Sequence, residues 1–92
     1  MQQERAETVG LQVLAWLAEN DELLPVFLGA SGVSLAGVKD GMNDPGFLAA
    51  VLDFLTQDDD WVIGFCDSAG LPYDVPMAAR AALPGGQQMH WT

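Results

Sequence analysis

An all-α fold, a compact bundle of about six short helices, is what this sequence predicts, and three observations carry the prediction. Residues 44–56 read as a capped helix with the widest apolar stripe of the chain. The acidic run Asp58, Asp59 and Asp60 then opens a second helix that stops at Gly70. Finally, the chain matches itself at an offset of 38 residues, so that this helix pair has a counterpart nearer the N-terminus. With 92 residues, half of them apolar, the chain supports one hydrophobic core. The expected organisation is a single all-helical domain over residues 1–86 followed by a flexible C-terminal tail, residues 87–92.

The first helix is predicted over residues 4–18, with Val9, Val13, Trp16 and Leu17 on one face and Leu14 beside them. Gly10 weakens it by about 1 kcal/mol relative to alanine, a cost that packing can offset. Asn20 and Asp21 suit the cap of a second helix over 21–30, carrying Leu24, Phe27 and Leu28. Pro25 fits only within its first turn, where little hydrogen bonding is lost. Ser34 is placed to cap a third, short helix over 34–41.

Asp44 followed by Pro45 supplies an N-cap acceptor and then a ring already fixed at a helical φ, so a fourth helix is predicted over 45–56. Phe47, Leu48, Val51, Leu52 and Leu55 form its buried face. Three carboxylates are unfavourable at the C-terminus of that helix but favourable at the N-terminus of the next, predicted over 59–69 with Trp61, Val62, Phe65 and Cys66 repeating the stripe. Pro76 starts a last helix over 75–83, whose four alanines allow close approach to neighbours.

At the 38-residue offset Leu14, Leu17, Asp21, Phe27 and Gly32 meet Leu52, Leu55, Asp59, Phe65 and Gly70, and Trp16 meets Phe54. The expectation is two pseudo-repeated three-helix units about a pseudo-two-fold axis, with the 45–56 helix at its centre. Phe27 and Phe65 should then both be buried, each between its own helix and the preceding one.

The strings DPGFLAAVLDFL (44–55) and AARAALPGG (78–86), following a leucine-rich helix pair, resemble a family of short α-proteobacterial proteins catalogued only as a domain of unknown function. The likeness spans about residues 14–86. It implies a shared helical fold and carries no catalytic, cofactor or ligand residue, because the matching positions are the apolar and capping residues themselves.

Composition excludes several function classes. Three basic against thirteen acidic residues give a formal net charge of −10, which repels nucleic acid and anionic lipid and favours a basic partner. Residues 27–38 have the outline of a helix-turn-helix, but its second helix offers one lysine beside one aspartate, too little to neutralise phosphates or read bases. His90 is the only histidine and lies in the tail, so no histidine triad or histidine-rich metal site is available. The aspartates near Asp58 lack the glycine and closing glutamate of an EF-hand, and no phosphate-cradling glycine loop is present. Cys66, alone and on an apolar face, reads as a buried thiol in a reducing, cytoplasmic compartment. No segment reaches the length of a membrane span.

The sequence therefore predicts no enzyme, no catalytic residue, no metal site and no cofactor. It predicts a small acidic protein-interaction module or adaptor, with a protein partner of unknown identity and homo-oligomerisation left open. The alternative is a nucleic-acid mimic or a regulator of a basic partner protein. Candidate interaction residues are Asp58, Asp59 and Asp60 at the acidic helix start and Trp91 in the tail.

Overall fold

The computed structural model describes residues 1–83, the Leu35 side chain excepted, and among them finds six helices: α1 (Gln3–Glu19), α2 (Leu23–Ser31), α3 (Leu35–Gly41), α4 (Pro45–Thr56), α5 (Asp59–Ala69) and α6 (Val75–Ala82). The expected tail 87–92, Trp91 within it, and the domain boundary at residue 86 lie outside the described residues. None of the helices is long and apolar enough to cross a membrane.

Local chemistry accounts for the helix ends. Asp44 accepts the Gly46 amide at 3.0 Å, and Pro45 opens α4. Ser34 caps α3 by accepting the Gly37 amide at 3.2 Å. Gly32 and Gly70 terminate α2 and α5 at φ 72° and 70°, the left-handed region that costs glycine nothing. One cap differs from expectation. α2 begins at Leu23 rather than residue 21, and Asn20, not Asp21, does the capping: its Oδ1 accepts the amides of Glu22 and Leu23 at 3.1 and 3.2 Å. Pro25 therefore does fall in the first turn.

The core is built where α1, α4 and α6 pack on one another, the three most extensive helix pairings of the fold. α1 contributes Ala6, Val9, Val13, Leu14 and Leu17, and α4 contributes Leu48, Ala49, Val51, Leu52, Phe54 and Leu55. Gly10 is buried at their crossing; a Cβ there would lie 3.0 Å from the Leu48 Cβ. The backbone of α1 can come this close to α4 only because that position has no side chain. α6 lays Pro76 and Ala79 on the pair and ties itself to α4 by a forked ion pair. Arg80 Nη2 donates to Asp53 Oδ2 at 2.8 Å and Nε donates to Oδ1.

The 38-residue offset recurs in the hydrogen bonds. Asn20 caps α2 through the amides two and three residues on, and Asp58 caps α5 through Asp60 and Trp61 in the same way, at 2.8 and 3.4 Å. The Asn20 amide reaches the Leu17 carbonyl as the Asp58 amide reaches that of Leu55, and Gly32 closes on Leu28 as Gly70 closes on Cys66. Packing follows suit. Phe27 and Phe65 are both 1% exposed, and each meets an aromatic ring on the first helix of the other unit. Phe27 packs edge-on to Phe54 with ring centres 5.3 Å apart, and Phe65 packs edge-on to Trp16 at 6.1 Å. Because Trp16 and Phe54 are equivalent, these contacts are reciprocal, as a local two-fold relation requires.

Two parts of the expectation are corrected. The centre of the arrangement is the α1–α4 crossing, where Gly10 meets its own equivalent, Leu48; α4 alone is not the centre. The third helices also differ: α6 packs on both α1 and α4, whereas α3 makes no comparable helix packing, with Val38 partly buried against the core and Gly41 under the ring of Phe47.

Candidate functional site

The predicted candidate residues separate into different roles. Asp58 is a cap, half-buried and committed to the α5 amides, so its carboxylate is structural. Asp59 and Asp60 are exposed in the first turn of α5, where the helix dipole favours them whether or not anything binds. Trp91 lies outside the described residues. Among the described residues no three His, Cys, Asp or Glu side chains converge as a metal site needs.

Cys66 is held away from chemistry. Its thiol is buried and donates to the Pro72 carbonyl at 3.5 Å; burial first, then the charges of Asp67 and Asp74, push its pKa up from the ordinary 9.0. A neutral thiol is a poor nucleophile. Beside it the exposed Tyr73 hydroxyl donates to Asp67 Oδ1 at 2.8 Å, a hydrogen bond that raises the phenol pKa above its ordinary 10.0.

The feature that composition did not reveal is a cleft of 450 Å³ lined by Trp16, Glu19, Asn20, Asp21, Glu22 and Ser68. α1 supplies Trp16 and ends at Glu19; the tight corner capped by Asn20 presents Asp21 and Glu22; the last turn of α5 supplies Ser68. Glu19, Asp21 and Glu22 are exposed, and among the described residues no cationic side chain lines the cleft. Neither α1 nor α5 carries a basic residue in its last turn, so the negative ends of two helix dipoles add to three carboxylates. Trp16 forms the wall. Its indole is half-buried and reaches across α5 at Gly64, where a Cβ would lie 3.3 Å from Cζ2.

Sequence reasoning placed Trp16 in the core stripe and so missed this cleft. A signal was present in the self-match. The position equivalent to Trp61, which stacks on Phe54 at 4.7 Å in the second unit, is Leu23 in the first. Phe54 is accordingly 5% exposed, while Trp16, its counterpart, has no ring stacked on it among the described residues.

Against this fold and this cleft, the family described as "Protein of unknown function (DUF3572)" matches residues 3–86, nearly the whole chain. The chain belongs to that family. No curated protein and no solved structure matches it. Membership in DUF3572 brings a shared domain and no assigned chemistry, so any function has to be argued from the surface.

Other concave surfaces lie among the described residues of the DUF3572 domain. One, of 150 Å³, lies between α2 and α4 over Phe27 and Phe54, with Asp53 on its edge. Both oxygens of Asp53 are already engaged by Arg80. Another surrounds Cys66 and Tyr73. There the exposed Tyr73 already holds Asp67 through its hydroxyl, and the helix-end acids of the Trp16 cleft have no such partner among the described residues.

Proposed function

We propose that this DUF3572 chain is a small non-enzymatic protein-interaction module whose partner is a basic protein. The observation that supports it is the Trp16 cleft, in which an aromatic wall, three carboxylates and two helix C-termini border one opening with no cation among the described residues. Such a site attracts a positively charged surface, and the net charge of −10 steers it there from a distance. The protonated Cys66 thiol supports the non-enzymatic part of the reading. A lone buried cysteine suits a reducing environment, and we take the compartment to be the cytoplasm.

The test compares three immobilised proteins in native lysate: the natural chain, Glu19→Gln/Asp21→Asn/Glu22→Gln, and Asp59→Asn/Asp60→Asn. The expected outcome is one basic partner, released between about 50 and 300 mM salt as screening shortens. The first variant should lose it and the second should keep it. Capture that is indifferent to the cleft carboxylates would overturn the reading.

A further inference from the structure

Resting on the reading above, we propose that the Trp16 cleft is an arginine-binding site, taking the guanidinium of a basic segment on the partner protein. The comparison between the two halves of the fold carries this. The halves share caps, turn glycines and reciprocal aromatic contacts, so equivalent positions have equivalent surroundings unless the sequence changes them. On Phe54, a flat indole from Trp61 stacks at an interplanar angle of 23° and completes the packing. On Trp16 the equivalent residue is Leu23, and the ring is left half-exposed on the cleft.

The two openings also differ in how their charge is paired. Glu19 stands where the second half has Gln57, while Ala15 and Asn20 stand where it has Asp53 and Asp58; Asp53, however, is held by Arg80 and Asp58 by the α5 amides. The opening on Trp16 thus presents three exposed carboxylates, whereas the one on Phe54, lined also by Phe27, Ser31 and Gln57, has the paired Asp53. The missing planar group and the unpaired negative charge call for one ligand, a planar cation. Guanidinium meets both requirements, since it stacks on aromatic faces and donates in a fork to carboxylates. An ammonium group is a point charge and satisfies only the second.

The experiment uses the full chain with Trp61→Phe and Trp91→Phe, so that Trp16 alone reports by fluorescence. The probe is a short capped peptide with two arginines spaced by glycine, titrated at low salt, alongside twins carrying lysine or citrulline. The arginine peptide is expected to saturate with a shift in Trp16 emission, the lysine twin to bind at least about threefold more weakly, and the uncharged citrulline twin not to bind. Neutralising Glu19, Asp21 and Glu22 together should weaken the arginine peptide by about tenfold, a sum of three exposed charge contacts. Neutralising Asp59 and Asp60 should change it by less than about twofold, since they line none of the three clefts. Equal binding of the arginine and lysine peptides would overturn the arginine assignment and leave a basic partner standing. Equal loss on neutralising Asp59 and Asp60 would overturn both, because attraction would then follow net charge and not the cleft.

Discussion

The same substitution should have opposite effects at two helical glycines. Gly29 lies exposed in α2, and a Cβ added there meets nothing within 4 Å. Gly29→Ala therefore keeps only the gain in helix propensity, about 0.5–1 kcal/mol. Gly10→Ala has the same gain, but its Cβ would fall 3.0 Å from the Leu48 Cβ, where carbon atoms rest at about 3.5–4.0 Å. A Cβ cannot swing aside as the end of a side chain can, so α1 and α4 must move apart and loosen Val13, Leu52 and their neighbours. Overpacking of this kind costs about 1–3 kcal/mol, leaving Gly10→Ala destabilised by about 0–2 kcal/mol. Since propensity nearly cancels between the two variants, their difference reports the packing cost itself, about 1–3 kcal/mol. Urea melts followed by circular dichroism measure it, and thermal melts should separate the two by at least about 4 °C for a chain of this size. If Gly10→Ala stabilised as much as Gly29→Ala, the helices would not cross where the packing argument requires.

Three further outcomes are expected. Leu52→Ala should cost about 2–5 kcal/mol in urea melts, because the side chain is wholly buried and its loss leaves a cavity among rigid neighbours; a cost below 1 kcal/mol would make α4 peripheral. Asp53→Ala should cost about 1–3 kcal/mol and Arg80→Met less, because the guanidinium side chain is 14% exposed and its partner 49%, so removing the acid strands the more buried charge. The reverse order would show that the fork between α4 and α6 is not what holds Arg80. Stability should fall as pH rises above about 9: the unfolded Cys66 thiol ionises near 9.0 while the folded one, its pKa raised, keeps its proton, so the unfolded state binds fewer protons. The fall levels off once the folded thiol also ionises. Cys66→Ala should flatten the decline that begins above about pH 9, with Tyr73 contributing the same sign above 10.0 in both proteins; parallel curves would assign the alkaline loss elsewhere.

Features of this protein that depend on near neighbours in the chain could be read from the residues alone. A carboxylate or amide two or three residues from a backbone N–H can cap it in any fold, so Ser34, Asp44 and Asp58 marked helix starts. Periodicity marked the buried faces, and five of the six helices begin within one residue of the predicted position. The exception is α2, where Asn20 and Asp21 are both competent caps and only the geometry of the corner chose between them. The candidate site was legible in its charge and not in its place, since the dipole accounts for Asp59 and Asp60 at any helix start.

The remaining features depend on which helix lies over which. Trp16 has the spacing of a core residue, and its exposure follows from α5, whose last turn borders the cleft while Gly64 receives the indole edge. Gly10 read as a weakness in α1 and proved to be the crossing point with α4. α3 and α6 occupy corresponding places in the self-match, yet only α6, with Ala79 fully buried and Arg80 paired across to Asp53, packs closely on both central helices. Contacts between residues far apart in sequence leave no local pattern, because a side chain is selected for the space it meets and that space belongs to another helix.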